Sequence, residues 1–158
     1  MQLSATAVAS QFVLVVSGAI LLGAAVMDLK QYKIRNEVIL ILAGLLLLHA
    51  VLSGRWTMLL WNLGFAAMVS AILLYFYSLR FMGGGDLKLL TVALLWVGPS
   101  CALNFAVFLL GFILVHVAAA KLKWVGAKTI DNRQLIAFAP SIAAALIAVF
   151  ISGCLKPI

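Results

Sequence analysis

The chain has 158 residues, of which 66% are hydrophobic and only 9% are charged, and its formal net charge is +7. A soluble domain carries roughly 25% charged residues, so this composition excludes a water-soluble domain, a disordered chain, a disulfide scaffold and a nucleic-acid-binding domain. It predicts an all-α integral membrane protein, because helices satisfy their own backbone polar groups inside a bilayer. The basic excess is then typical of cytoplasmic loops.

The first predicted span lies close to the N-terminus, where residues 1–27 carry no charge. The stretch 5–27 is long enough to cross ~30 Å of hydrocarbon at 1.5 Å per residue. A signal peptide would begin with Lys or Arg and end at a small-residue cleavage site. This N-terminus has no basic residue, so we expect it to be retained as a membrane helix.

The remaining spans follow from four further uncharged runs, at 38–53, 56–79, 89–120 and 134–153. The run 89–120 is too long for one helix and contains Gly98-Pro99-Ser100, where proline removes a backbone donor. Dividing it there gives a short fourth span over 86–98 and a fifth over 101–120. We therefore predict one transmembrane domain over 1–158, built as a bundle of about six helices.

The basic residues predict the orientation of this bundle. Nine of the 11 Lys and Arg residues fall in the loops after spans one, three and five, and two fall on the opposite side. The positive-inside rule places those three loops in the cytoplasm and both termini in the periplasm. Omitting span four would move the basic cluster after span five to the outer side, so the charges also favour dividing the long run.

Two of the four acidic residues lie at the ends of predicted spans. Asp28 directly follows an apolar run, and Asp86 begins span four after three glycines. An Asp at a helix centre costs roughly 2.5–3.5 kcal/mol on insertion scales, and both residues are expected at the cytoplasmic ends of their spans, at equal depth. Glu37 and Asp131 lie among basic loop residues and are interpreted as solvated loop charges.

Two carboxyl groups at equal depth are suited to aspartic-peptidase chemistry. When they lie within a few ångströms of each other, one keeps its proton while the other is ionised. The ionised group takes a proton from water and the neutral group protonates the peptide carbonyl oxygen, with no metal or cofactor. The alternative is that Asp28 is an interfacial charge at the end of span one and Asp86 is a helix N-cap.

Gly83, Gly84 and Gly85 favour the catalytic interpretation of Asp86. Glycines are poor helix formers and, without a Cβ, let another chain approach closely. A peptidase must hold its substrate extended beside the catalytic acid, and exposed backbone donors and acceptors would help to do so. A plain flexible loop is the alternative.

These motifs resemble those of the GxGD-type aspartic peptidases of membranes, specifically the bacterial type IV prepilin peptidases. The run GGGDLKL from Gly83 is similar to the family's GxGDxK motif, and DLKQYKIRN from Asp28 resembles its first motif, an Asp followed by Ile-Pro-Asn. The segment 136–145 resembles the family's last-span motif. Arg35 stands where proline is usual in the first motif. Ala137 stands where a proline is often present in the last-span motif.

The resemblance implies that Asp28 and Asp86 are catalytic and that prepilin leader peptides are cleaved at the cytoplasmic face of the inner membrane. Larger enzymes of the family carry an N-terminal region with paired Cys-x-x-Cys motifs and also N-methylate the pilin. This chain has neither feature and resembles the short form that is associated with Flp-type tight-adherence pili. The expected partners are therefore a prepilin and the lipid bilayer. Methyltransferase activity is not expected.

Several other polar residues receive structural interpretations. Lys88 either steadies an ionised dyad or extends to lipid phosphate. Asn36 is expected to cap span two, with substrate contact as the alternative. His49 and His116 are interpreted as packed polar residues, because no His-Glu-x-x-His zinc motif is present.

Cys101 and Cys154 are both predicted on the oxidising outer side of the membrane. A disulfide between them is one alternative, and reduced, lipid-facing thiols are the favoured one. Trp56, Trp61, Trp96 and Trp124 lie near predicted span ends and are interpreted as interfacial anchors.

A small transporter, channel or assembly subunit is the competing hypothesis. Acids inside membranes often mark ion paths, and glycine-broken helices line transport sites. No inverted repeat is evident in the sequence, and both acids are predicted at one membrane face rather than at the midplane. These two observations favour the peptidase.

Overall fold

The structure, a computed structural model, describes residues 2–31, 34–54, 56–80, 82–122, 128–130, 133–135 and 138–155. The predicted features Trp124, Asp131 and Ala137 lie outside these residues. The helices are α1 (Gln2–Gln31), α2 (Asn36–Ser53), α3 (Trp56–Ser78), α4 (Gly84–Lys121) and α5 (Ala139–Ser152). A short antiparallel pair, β1 (Lys128–Ile130) and β2 (Arg133–Leu135), lies between α4 and α5 and was not expected from the sequence.

Four of these helices, α1 to α4, are long and apolar enough to cross a membrane. Helix α5 is equally apolar but has only 14 residues. Many large apolar side chains are exposed on the outside of the bundle, as in Phe12, Leu40, Trp61 and Leu103. Such a surface requires lipid rather than water around it.

The predicted boundary between spans four and five is a turn within α4. Gly98 has φ 60° and ψ −176°, inside an otherwise helical segment. Asp86 near the start of α4 and His116 near its end both lie within electrostatic range of Asp28. In a straight helix these two residues would be about 45 Å apart. Helix α4 therefore folds back at Gly98 into two halves, 84–98 and 99–121, which correspond to the segments predicted as spans four and five.

Local chemistry explains why α4 turns at this point. Pro99 has no N–H to donate to the carbonyl of Leu95, four residues earlier. The side chain of Asn62 in α3 replaces that donor, with its Nδ2 3.0 Å from the Leu95 oxygen. A Cβ on Gly98 would overlap the Asn62 amide, and the positive φ also favours glycine.

The first half of α4 lies at the centre of the bundle. Trp96 is 1% exposed, donates a hydrogen bond from Nε1 to the Leu42 carbonyl of α2 and packs against Phe150 of α5. The interpretation of Trp96 as an interfacial anchor is therefore wrong: its ring faces neighbouring helices. Trp56 and Trp61 in α3 are exposed.

Helix α5 packs against α1 and α4 and is anchored at both ends. Cys154, just beyond α5, forms a disulfide with Cys101, which follows the turn of α4. The favoured prediction of reduced, lipid-facing thiols is therefore wrong. Cys101 is 2% exposed, because α5 ends beside the Gly98 turn, a proximity that the sequence does not reveal.

We call the end of the bundle that carries Asp28 and Asp86 the aspartate end. The opposite end, which we call the far end, carries the α2–α3 turn at Gly54, the α4 turn at Gly98 and the Cys101–Cys154 disulfide.

Candidate active site

The two span-terminal acids line one cavity at the aspartate end. Asp28 lies in the last turn of α1 and Asp86 in the first turn of α4, and their carboxyl groups are within electrostatic range of each other. The cavity has a volume of about 840 Å³ and is also lined by the start of α2 and the end of α3. Every residue that the sequence analysis selected for the site lines it, namely Asp28, Asn36, Gly83, Gly84, Gly85, Asp86 and Lys88.

Asp28 is held by the start of α5. Its side chain is buried, and Oδ2 accepts a hydrogen bond of 3.2 Å from the backbone N–H of Ala139. The first N–H groups of a helix have no partner within the helix and carry the positive end of its dipole, so α5 presents a favourable environment to a carboxylate. Ala139 is fully buried, and a small side chain there lets the helix end approach Asp28.

Asp86 is held by its own helix. Gly83 is the N-cap residue of α4, and its backbone N–H donates a hydrogen bond to the Asp86 carboxylate. The alternative interpretation of Asp86 as the cap is therefore correct in part, since its carboxylate does bind the helix start although Gly83 occupies the cap position. A Cβ on Gly83 would lie 3.0 Å from Oδ2 of Asp86, so the absence of a side chain at Gly83 leaves space for the Asp86 carboxylate.

The next two glycines accommodate neighbours from the chain itself. A Cβ on Gly84 would lie 3.4 Å from the ring of Tyr77 in α3, and one on Gly85 would lie 3.4 Å from Ile34. Both distances lie at the short limit of ordinary van der Waals contact. Gly84 and Gly85 therefore let the end of α3 and the segment before α2 close around Asp86.

Lys88 and Asn36 form a contact between two helix starts. Lys88 Nζ donates a hydrogen bond of 3.0 Å to Asn36 Oδ1. The prediction that Asn36 caps α2 is wrong, because Arg35 occupies the cap position and makes no side-chain cap hydrogen bond. The amide of Asn36 is turned toward α4 and holds the start of α2 beside the start of α4.

Arg35 preserves the local conformation that a proline would impose. Its φ of −74° and ψ of 138° match the fixed φ of proline, near −65°. The guanidinium pairs with Glu37, with Nε 3.0 Å from Oε2. This departure from the usual motif therefore leaves the turn before α2 extended. Glu37 is solvent-exposed, as predicted, but it lies in the first turn of α2 rather than in a loop.

Sequence reasoning missed two contributors to the surroundings of Asp28. One is His116, which the fold of α4 brings within electrostatic range of Asp28, and the other is the Ala139 N–H. No local motif connects either residue to Asp28; the only available signal was the small-residue segment around Pro140. Among the described residues, no three His, Cys, Asp or Glu side chains are grouped closely enough to hold a metal ion.

Comparison with known families agrees with this geometry. A family model described as the type IV leader peptidase family matches residues 15–155. The chain belongs to the type IV leader peptidase family. The matched region includes both cavity aspartates, and family membership together with four long apolar helices identifies a multi-pass membrane peptidase. Searches among curated proteins and solved structures found no match.

Proposed function

We propose that the protein is an aspartic endopeptidase that removes the leader peptide of a type IV prepilin of the Flp class, at the cytoplasmic face of the inner membrane. Asp28 and Asp86 are its catalytic residues. The observation that carries the proposal is that these two carboxyl groups, from helices far apart in sequence, line one cavity within electrostatic range of each other.

The reaction requires one proton to be shared by the two carboxyl groups. The ionised group accepts a proton from a water molecule, whose oxygen attacks the carbonyl carbon of the scissile peptide bond, while the protonated group donates its proton to the carbonyl oxygen. The tetrahedral intermediate then collapses, the C–N bond breaks and the departing amine takes up a proton. Neither step needs a metal or an organic cofactor.

The positioning of both acids supports this chemistry. The Ala139 N–H holds Asp28, and the Gly83 N–H holds Asp86. Both contacts come from helix starts, which are fixed dipoles that need not reorganise during the reaction. The acids are thus oriented before a substrate arrives.

The place of the cavity at one end of the bundle supports a prepilin as the substrate. A single-span precursor with a short basic leader keeps that leader in the cytoplasm. The junction between leader and membrane helix then lies at the depth of the two acids.

Isosteric substitution of each acid tests the proposal. Asp28→Asn and Asp86→Asn each remove a proton donor or acceptor, and each is expected to lower processing of a co-expressed prepilin by at least ~10²-fold, the lower range of general acid–base catalysis. Immunoblotting of precursor and mature pilin measures the loss, and membrane fractionation verifies insertion. Asp131→Asn, at the acid predicted in a solvated loop, is the matched control and should process normally.

Normal processing in either cavity variant would contradict the proposal. Intact processing together with a lost proton or solute flux in the same variants would instead favour the transporter class. Both acids lie at one end of the bundle, which does not favour a path across the membrane.

A further inference from the structure

The helices form a ring of contacts with one weak link. Helix α3 packs on α4, α4 on α5, α5 on α1 and α1 on α2, whereas α2 and α3 contact each other only marginally. The short turn at Gly54 joins α2 to α3 at the far end. The two helices therefore diverge from this turn toward the aspartate end, and we call the space between them the α2–α3 cleft.

The first half of α4 forms the floor of this cleft. Two hydrogen bonds join this half of α4 to α2, one from Lys88 to Asn36 and one from Trp96 to the Leu42 carbonyl. Two other hydrogen bonds join it to α3, one from Asn62 to the Leu95 carbonyl and one between the hydroxyls of Ser70 and Thr91. Because these polar groups are satisfied within the protein, α2 and α3 hold their positions without packing against each other.

A cavity lies between α2 and α3 at each end of the cleft. The catalytic cavity is bordered by Asn36 of α2 and by Leu74 of α3. A second cavity of about 430 Å³ at the far end is bordered by His49 of α2 and Met58 of α3, and its floor is formed by Val97 of α4. Helix α4 rises about 17 Å between Asp86 and Val97, so the cleft extends from the acids across much of the bundle.

We propose that the α2–α3 cleft binds the membrane helix of the substrate, so that the precursor reaches the acids sideways from the bilayer. This inference rests on the proposed function. A precursor's membrane helix cannot leave the hydrocarbon, because each exposed CH₂ costs about 0.8 kcal/mol. Its leader junction must therefore enter the catalytic cavity from a side that is open to lipid, and among the described helices α2 and α3 are the least packed of the neighbouring pairs in the ring.

The walls of the cleft fit an apolar helix. Leu74 near the acids and Met58 at the far end are each about half exposed, at 53% and 52%. An apolar helix lying against them gains packing contacts that drive association within lipid. Its leader end would then extend into the catalytic cavity, where the polar groups of Asn36, Lys88 and the acids can satisfy an unwound backbone.

Two substrates separate this inference from the proposed function. One is a full-length prepilin reconstituted with the enzyme in liposomes, and the other is a soluble peptide that contains the leader junction without the membrane helix. In the variant Met58→Trp, the indole fills the far-end cavity without touching the acids. We expect kcat/KM for the full-length precursor to fall about tenfold, which corresponds to about 1.4 kcal/mol of lost binding free energy, with peptide cleavage unchanged.

The matched control is Leu60→Trp. Leu60 belongs to the same helix, is 68% exposed and does not border the far-end cavity, so this variant should cleave both substrates normally. An equal effect of Met58→Trp on both substrates, or on neither, would overturn the inference. Failure of the unmodified enzyme to cleave either substrate would instead contradict the proposed function.

Photo-crosslinking supplies a second measurement should Met58→Trp fold poorly. A photoreactive residue at position 58, in the Asp86→Asn background that preserves the intact precursor, should crosslink to the far half of the precursor's membrane helix. The same group at position 15, on the exposed face of α1, should capture only lipid. Capture of the precursor from position 15, or of lipid alone from position 58, would overturn the inference.

Discussion

The space beside the Asp86 carboxylate exists because Gly83 has no Cβ. The φ of Gly83 is −76°, a conformation that alanine adopts without strain. A methyl group at this position would nevertheless lie 3.0 Å from Oδ2. The side chain of Asp86 would have to move, while the helix start would remain as it is.

Gly83→Ala is therefore expected to reduce catalysis without reducing stability. A misplacement of about 1 Å can cost on the order of 10²-fold in rate; the shift required here is a few tenths of an ångström, and we expect kcat to fall by up to about tenfold. Cleavage of the leader-junction peptide and thermal unfolding in detergent measure the two quantities. The control is Gly111→Ala in the same helix, where a Cβ would meet nothing within 4 Å; a Gly83→Ala enzyme with unchanged kcat would contradict the role assigned to this contact.

At the element scale, the turn of α4 combines three groups that act together. Pro99 leaves the Leu95 carbonyl without a helical donor, the Asn62 amide supplies one, and Gly98 leaves space for that amide. An unsatisfied carbonyl at membrane depth costs several kcal/mol. The hydrogen bond from Asn62 thereby fixes α3 beside the point at which α4 reverses direction.

A double-mutant cycle measures this coupling. Gly98→Ala alone is expected to destabilise the protein severely, since the new methyl overlaps the Asn62 amide and alanine is strained at φ 60°. Asn62→Ala alone should cost about 1–3 kcal/mol, the range for an orphaned buried acceptor. The double variant should lose less stability than the sum of the two, as judged by unfolding midpoints in detergent, because the overlap no longer exists. Strict additivity would contradict the proposed contact.

The sequence predicted some elements of this architecture and could not predict others. Pro99 and its neighbours located the turn of α4, because proline's missing N–H is a local property. The partnership of Asp28 with the start of α5 was not predictable, because 111 positions separate Asp28 from Ala139. Helices α2 and α3 are apolar on every side, so their periodicity does not reveal which face packs. Helix α4 is likewise apolar on every side, so the burial of Trp96 was not predicted, and the disulfide between Cys101 and Cys154 was predicted only as the less favoured alternative.

For the molecule as a whole, the disulfide provides a test of which end of the bundle faces the cytoplasm. Cys101 and Cys154 are the only cysteines in the chain, and both lie at the far end, opposite the acids. If the acids face the cytoplasm, this end faces the oxidising outer compartment. That arrangement would explain how the disulfide forms and persists.

Thiol labelling of intact cells measures this orientation. A membrane-impermeant maleimide added outside should label the protein only after mild reduction, and a variant with both Cys101→Ser and Cys154→Ser should remain unlabelled. Labelling that requires disruption of the inner membrane would place the far end in the cytoplasm. In that case the predicted topology would be reversed and the acids would face the periplasm.

The shortness of α5 has a consequence for the surrounding lipid. Its 14 residues extend about 21 Å, whereas a typical hydrocarbon layer is ~30 Å thick. If the disulfide lies at the outer interface, the carboxylates would be recessed by several ångströms unless the surrounding leaflets thin, because α5 begins beside Asp28 and ends near the disulfide. Thinning would admit water to the cleavage site at a modest elastic cost, a fraction of a kcal/mol per ångström of mismatch. We therefore expect acyl-chain length in the host membrane to affect the rate of the proposed hydrolysis.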